Sequence, residues 1–564
     1  MTREKDSVHT AKLLFITGVI ALVACSGLYL SGYLALCLLG LPARLLHWHL
    51  YVEYLRALEL PQLQPYALRI KAAGCIGFGL PACAALALLV PVLRPARRSL
   101  HGDAHFAGVG DLARRGLLRA AADGIVVGRR GRRLLRLSGQ QSVVLAAPTR
   151  SGKGVGIVIP NLLEYGESVV VLDIKQENFD LTSGWRARQG QAVYLFNPFA
   201  EDRRTHRWNP LRYVSDDPAF RTSDLMAIAA LLYPDGADEQ KFWVSHARSA
   251  FLAFALYLFD NRDDALRSGF PVDAGAPTLG ALWRLSTGDG SESRAHVQRL
   301  ASSAFLCAHA RAAFANLLAL ADETFASVLG SLREPLNGWI NPVLDAATSG
   351  DDFLLTDLRR RRMTIYVGIQ PNKLAESRLL LNLFFSQLIN LNTRELPRSD
   401  PTLKHQCLLL MDEFTAIGKL DILPTAIAFM GGYNLRLLPV IQSMAQLDAT
   451  YGKDAARTLL TNHALQVLFA PREQRDANDY SEMLGTTTVR RQNVTRGREV
   501  SRSETLERRA LMLPQELKAL GENCQVLLCE GLAHPVLCDK IRYYRERRFR
   551  ARLLPRVEIP TLSV

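Results

Sequence analysis

Three short stretches of this chain carry the residue types needed to hold and split a phosphoanhydride. The first is Ala147-Pro148-Thr149-Arg150-Ser151-Gly152-Lys153-Gly154-Val155. It lies between an apolar, β-branched run from Ser142 and a second apolar run that reaches Leu163 and contains Pro160. This order reads as strand, phosphate loop and helix start. Backbone N–H groups in such a loop, and at the helix N-terminus behind it, converge on one point and attract phosphate oxygens. Thr149, Arg150, Ser151, Gly152, Lys153, Gly154 and Val155 are therefore the candidate nucleotide-binding residues, with Lys153 reaching the β- and γ-phosphates. Against the general pattern G-x-x-x-x-G-K-[ST], Ala147 replaces the first glycine and Gly154 replaces the hydroxyl residue that normally ligates magnesium. The competing reading is a plain strand–helix turn with an exposed lysine.

The second stretch, Leu408-Leu409-Leu410-Met411-Asp412-Glu413-Phe414, ends an apolar strand in two acids. Asp412 is the expected magnesium ligand, and Glu413 the carboxylate that orients or deprotonates the attacking water. Gly154 has no hydroxyl, so Asp412 carries more of the metal's positioning. Thr149 and Ser151 are alternative oxygen donors between which the sequence does not choose. The third stretch is Val440-Ile441-Gln442-Ser443, where Gln442 is either a γ-phosphate sensor or a polar strand terminus. Asn462-His463, before a further strand, is a weaker candidate of the same kind. Asp173-Ile174-Lys175 closes another strand on the same edge, with Lys175 facing phosphate or pairing with Glu177. Arg436 reads either as a finger reaching a neighbouring subunit's nucleotide or as a surface or strand-edge arginine. Arg490, Arg491, Arg496, Arg498, Arg502, Arg508 and Arg509 read either as the lining of a channel tracking a nucleic-acid backbone or as a solvated loop diluted by Glu499, Glu504 and Glu507.

These residues need a sheet to position them. Strands are expected at 143–147, 168–173, 192–196, 363–369, 406–411, 435–441, 466–469 and 525–529. Most are near-continuous apolar runs, as in strands buried on both faces of a mainly parallel sheet. Intervening helical stretches argue for an α/β, doubly wound architecture. Between about 216 and 350 the strand signal disappears, which predicts an inserted all-α domain. Residues 242–259 are apolar enough to resemble a membrane span, but His246 and Arg248 favour a buried core helix. Leu137-Ser138-Gly139-Gln140-Gln141 resembles an ABC-transporter signature but precedes the phosphate loop rather than following it, which points to chance.

Ahead of the sheet, 13–41 and 72–93 hold no charged residue and are long enough to cross a bilayer of roughly 30 Å at about 1.5 Å per residue. Two uncleaved transmembrane helices are expected rather than a signal peptide. Arg3, Lys5 and Lys12 before the first and Arg94, Arg97 and Arg98 after the second favour both termini in the cytoplasm. Between the spans, His47-Trp48-His49, Tyr51 and Tyr54 read as interfacial aromatics; with no third ligand evident, the two histidines are taken as solvated rather than metal-binding. The net charge of +14 suits a nucleic-acid or anionic-membrane partner. Nine cysteines without a C-x-x-C pair exclude a zinc ribbon and argue against a disulfide framework.

Residues 147–162, with the stretches Val170-Val171-Leu172-Asp173-Ile174-Lys175, Asn197-Pro198, Leu410-Met411-Asp412-Glu413-Phe414, Ile441-Gln442-Ser443 and Met483-Leu484-Gly485, resemble the TraG family, the coupling proteins of type IV secretion and conjugation. Gly102-Asp103-Ala104-His105-Phe106-Ala107 and 509–516 are similar to further family motifs. Ala147 and Gly154 are typical of this family. Gln176 departs from it, standing where glycine is usual, and the acidic C-terminal tail of some members is expected to be absent. The resemblance implies a RecA-like P-loop ATPase domain (99–215 and 351–545) with an inserted all-α domain (216–350). It also implies a two-helix membrane anchor (1–98) and leaves a basic C-terminal tail (546–564). It further implies ATP and magnesium, a homo-hexamer in the bacterial inner membrane, type IV secretion inner-membrane components as partners, DNA contacts through a basic surface, and delivery of relaxase–DNA complexes or effector proteins to the channel. Two alternatives remain open: a nucleotide-binding receptor with little hydrolysis, and an FtsK-like DNA pump.

Overall fold

The apolar runs become the middle of one large sheet. The computed structural model describes residues 2–61, 63–93, 100–235, 240–269, 276–496 and 500–563. Arg94, Arg97, Arg98 and Arg498, and the side chains of Arg3, Lys5, Lys12, Arg496 and Arg502, lie outside the described residues. The chain forms two units, Met1–Leu100 and His101–Val564.

In the first unit, α1 (Thr2–Leu39), the short α2 (Leu50–Arg56) and α3 (Ala67–Leu93) follow one another. Helices α1 and α3 start before the uncharged runs do, and both exceed the roughly 20 residues needed to span a bilayer. Small residues let them approach closely: a Cβ on Gly27 would fall 2.4 Å from the Phe78 ring, and one on Gly77 2.3 Å from Ser31 Oγ.

The second unit holds thirteen described strands. They are β1 (Ile125–Arg130), β2 (Arg133–Leu137), β3 (Val143–Ala146), β4 (Ser168–Asp173), β5 (Ala192–Phe196), β6 (Met363–Gly368), β7 (Cys407–Met411), β8 (Leu435–Ile441), β9 (Leu465–Leu468), β10 (Thr486–Arg496), β11 (Val500–Ala510), β12 (Cys524–Cys529) and β13 (Val536–Asp539). Eleven form one sheet in the order β2-β1-β13-β12-β9-β3-β8-β7-β4-β6-β5. From β9 to β5 every neighbour pair is parallel. From β9 outward through β12, β13, β1 and β2 the pairs are antiparallel. All eight expected strands are present within a residue or two of their expected ends. The five unforeseen ones are the Arg-rich β1 and β2, the short β13 paired between β1 and β12, and the ribbon β10–β11, whose polar alternation resembles loop sequence. The arginine-rich stretch is thus neither open loop nor part of the main sheet. It is an antiparallel hairpin with eleven residues in each strand, in which Arg490 lies 3.9 Å from Glu504 and Arg491 3.4 Å from Glu507.

Between β5 and β6 the described residues hold helices and turns and no strand, with one isolated bridge from Arg204 to Thr561. Lys241–Arg267 is long and apolar enough to cross a membrane, yet Phe251, Phe254 and Phe259 are fully enclosed in the core. Its polar end is bound by Arg221, whose guanidinium lies 3.5 Å from Asp260 and 2.8 Å from Asp263. It is a core helix. The basic segment after 546 packs back onto the sheet's helices: Phe549 is buried, Arg552 bonds the Leu163 carbonyl and Glu164, and Arg556 bonds Asp180.

Candidate nucleotide site

The carboxyl ends of β3, β4, β7 and β8 meet at one place because those four strands are parallel neighbours, or nearly so, in the sheet. After β3 the chain turns through Arg150 and Gly152, both at left-handed φ (55° and 86°), and Ser151 closes the turn by donating from N and Oγ to the Pro148 carbonyl. The helix behind begins with a π-turn, Gly154–Val158, in which the Ile159 N–H donates five residues back to Gly154. Pro160 explains it: lacking an N–H, it cannot bond the carbonyl four residues back, and the wider turn absorbs the mismatch. A Cβ on Gly152 or Gly154 would meet nothing within 4 Å, so the cradle above the loop is open.

Lys153 stands between the two predicted acids. Its Nζ is 3.5 Å from Asp412 Oδ1 and in contact with Glu413 Oε1. Glu413 adopts a left-handed conformation (φ 57°) at the end of β7, an uncommon backbone state of the kind that clusters at functional sites. Gln442, at the end of β8, donates from Nε2 to Glu413 Oε2 at 2.5 Å. Burial pushes the two carboxyls up alike, but they titrate differently. Asp412 stays raised, because desolvation outweighs Lys153. Glu413 falls below the usual range, because the bonds from Lys153 and Gln442 outweigh its burial. Glu413 is thus held as a carboxylate with a hydrogen-bond donor on each oxygen.

A cavity of about 600 Å³ opens here, lined by Lys153, Gly154, Asp173, Lys175, Asp412 and Glu413 among others. Asp173 lies at its floor, receiving hydrogen bonds from the Asn178 Nδ2 and Phe179 N–H groups; burial raises its carboxyl to about 7 against those bonds. Gln176 caps the helix Glu177–Arg188 at φ 59°. That accounts for its standing at a position where glycine is usual: the turn requires a left-handed residue, which costs a non-glycine side chain free energy. On the other side of the loop is a second cleft of about 430 Å³, reached by Ser151, Arg472, Lys518, Lys540, Arg542 and Tyr544. The Lys540 ammonium lies over the Phe469 ring at 3.8 Å and 3.5 Å from the Ser151 carbonyl; burial lowers its pKa to about 8.

The predicted residues therefore divide. Lys153, Gly154, Val155, Arg150, Gly152, Asp412 and Glu413 line the first cavity, and Gln442 reaches it through Glu413. Ser151 faces the second cleft, and Thr149 Oγ1 accepts from Arg472 Nη1 at 3.3 Å, so neither hydroxyl lines the cavity with Asp412. Lys175 also lines it. His463 does not: it precedes β9, at the opposite edge of the sheet, buried with Nδ1 donating to the Leu459 carbonyl. Arg436 is neither finger nor surface residue. Fully buried in β8, it donates to the carbonyls of Gln141, Asp123 and Leu137. The residues missed from sequence, Tyr543 of the first cavity and Arg472, Lys540 and Arg542 of the second, come mostly from the segment after β13. No sequence signal other than its basic character marks that segment.

An open glycine cradle, the Lys153 and Lys175 ammoniums and three clustered carboxyls fit a nucleoside triphosphate with a divalent cation held mainly through carboxylate and water oxygens, as magnesium prefers. Comparison with known proteins agrees with this architecture. VirD4 of Rhizobium radiobacter is 31% identical over 463 residues, covering 79% of this chain and 64% of that protein. VirD4 of Agrobacterium fabrum is 32% identical over 469 residues, covering 80% and 67%. The conjugal transfer protein TraG of Escherichia coli is 29% identical over 524 residues, covering 84% and 79%. The chain thus spans about two thirds of the length of the VirD4 proteins. Among solved structures, the bacterial conjugative coupling protein TrwBdeltaN70 shares the fold with a TM-score of 0.57 at 19% identity, covering 81% of this chain and 96% of its own. TrwB in complex with the non-hydrolysable ATP analogue ADPNP gives 0.56 at 18%, covering 81% and 98%. The sequence profile described as "Type IV secretory system Conjugative DNA transfer" matches residues 111–561, and by that match the chain belongs to this family.

Proposed function

We propose that the protein is a membrane-anchored coupling ATPase of a type IV secretion or conjugation system. The carrying observation is the constellation of Lys153, Asp412, Glu413 and Gln442 at one sheet edge above an open glycine loop. Support comes from the family, from the VirD4 and TraG relatives, and from TrwB, which has been solved with ADPNP and with ADP and Mg2+.

ATP is the substrate. Its phosphates take the loop N–H groups, and Lys153 exchanges its carboxylate partners for phosphate oxygens. That exchange frees Glu413, already ionised, to accept a proton from the attacking water, while Gln442 keeps the carboxylate oriented. Asp412 would hold magnesium, which when bound would supply charge neutralisation to the phosphates. Most of the acceleration is electrostatic positioning.

The chain divides into the anchor (1–98), the nucleotide-binding domain (99–215 and 351–545), the inserted all-α domain (216–350) and the docked basic segment (546–564). It sits in the bacterial inner membrane with both termini cytoplasmic, assembles as a homo-hexamer, and passes relaxase–DNA complexes or effector proteins to inner-membrane components of the channel. Gly154 favours a second reading, a receptor that binds nucleotide with little turnover. ATPase assays of the membrane-reconstituted chain, with and without single-stranded DNA, decide between them. Turnover lost in Lys153→Ala and in Glu413→Gln, with ATP still bound by the latter, supports the coupling ATPase. Equal turnover in wild type and both variants overturns it.

A further inference from the structure

The loop between α1 and α3 carries a cluster independent of the nucleotide site. His47 and His49 are two residues apart, and α2 begins at Leu50 with His49 as its N-cap. One helical turn on, Glu53 points back at both: its Oε2 lies 3.2 Å from His47 Nε2 and its Oε1 3.0 Å from His49 Nε2. One ligand atom from each of the three residues can be chosen so that all lie within 4.8 Å of one another. The third ligand that the sequence did not reveal is thus supplied by the helix turn.

The tautomer of His47 sharpens this. Its Nδ1 is 3.0 Å from the Leu45 carbonyl. A carbonyl only accepts, so Nδ1 carries the hydrogen, and the neutral ring presents the lone pair of Nε2 to the Glu53 carboxylate. Two lone pairs at 3.2 Å repel unless a proton or a cation lies between them. A backbone carbonyl on the far nitrogen is also the usual outer-shell partner of a metal-binding histidine, fixing tautomer and ring direction. The spacing suits a metal as well. For metal–ligand bonds of about 2.0–2.1 Å, the ligand–ligand edge of a tetrahedron is roughly 3.3 Å, and each imidazole Nε2 lies near that distance from one of the two Glu53 oxygens. The three side chains are about half exposed, so an ion can enter and a water can take a fourth position.

We propose that His47 Nε2, His49 Nε2 and Glu53 bind one divalent transition-metal ion of zinc-like preference, two imidazoles and a carboxylate being a known zinc ligand set. The ion clips the loop to the first turn of α2, between the two apolar helices.

The test uses the full-length, tag-free chain in lipid nanodiscs, titrated with Co2+ followed by visible absorption and then displaced by Zn2+. One equivalent of Co2+ with the intense absorption of a low-symmetry four-coordinate site is expected. Its affinity should fall at least about tenfold in each of His47→Gln, His49→Ala and Glu53→Gln. Nucleotide binding by the same nanodiscs reports that each variant is folded and inserted, and His47→Gln retains polar bulk where an alanine would disturb the loop. Two results overturn the proposal: absence of the cobalt spectrum in the wild type, or an unchanged spectrum and affinity in all three variants, which places the metal elsewhere.

Discussion

The two ends of the parallel strands in the main sheet handle buried charge in opposite ways. At the amino-terminal edge, Arg186 and Arg436 are fully enclosed. Arg436 donates to three backbone carbonyls. Arg186 donates to the carbonyls of Leu162, Tyr165 and Glu167 and to Thr364 Oγ1. These acceptors belong to the main chain or, for Thr364, to a strand residue that itself donates to Gln191. Desolvation lowers the pKa of both guanidiniums, and the multiple bonds offset its cost. At the carboxyl-terminal edge, Lys153, Asp412 and Glu413 satisfy one another side chain to side chain beside an open cavity. The first arrangement locks the sheet's geometry; the second is exchangeable. A buried charge serves structure when its partners are immovable and chemistry when they can be traded for a ligand.

The largest expected effect breaks the exchangeable edge. Lys153→Ala and Glu413→Gln should each lower ATP turnover by at least about 10²–10³-fold while leaving the folded fraction unchanged, as measured by phosphate release and circular dichroism. Loss of folding in either would place that residue in the structural class. Next, Arg436→Met should act in the opposite sense. It strands one buried and two part-buried carbonyls, so stability should fall by about 2 kcal/mol or more, read as a lower denaturant midpoint. Wild-type stability with altered turnover would contradict the comparison.

A further test uses His463 at the locked edge. Burial depresses its pKa to about 4 from 6.5. A folded-state pKa below the unfolded one means that the contribution is fully present above pH 6.5 and is lost as pH falls through 4. The difference amounts to on the order of 3 kcal/mol. His463→Asn should flatten that part of the stability–pH curve; an unchanged slope would show that another group titrates there. The smallest effect is expected for Gln442→Ala. It removes one donor from Glu413 and should cost about tenfold in kcat with little change in KM. A loss as large as that of Glu413→Gln would make Gln442 a direct participant.

Much of this was readable in the residues themselves. Continuous apolar runs ending in Ala-Pro, Asp-Glu or Gln specify buried parallel strands with polar ends. Buried on both faces, such runs show no polar–apolar alternation and so stand out as central strands. The phosphate loop, the two acids and the two apolar helices needed no tertiary information, because each is a local pattern. What required the folded chain was everything set by contact between distant segments. Arg436 sits in an apolar strand and reads from sequence as a finger or as a surface or strand-edge arginine, yet it is buried and bound to carbonyls from 123, 137 and 141. The Arg-rich stretch forms a hairpin because cross-strand partners up to 24 residues apart pair. Glu53 joins His47 and His49 because one helical turn folds it back. Thr149 and Ser151 share the loop with Lys153, but the left-handed turn at Arg150 and Gly152 keeps their hydroxyls out of the cavity that Lys153 enters. Sequence determines which groups are present and which strand ends carry them; only packing decides whether a charged group meets fixed carbonyls or an exchangeable partner, because that depends on which remote backbone arrives beside it.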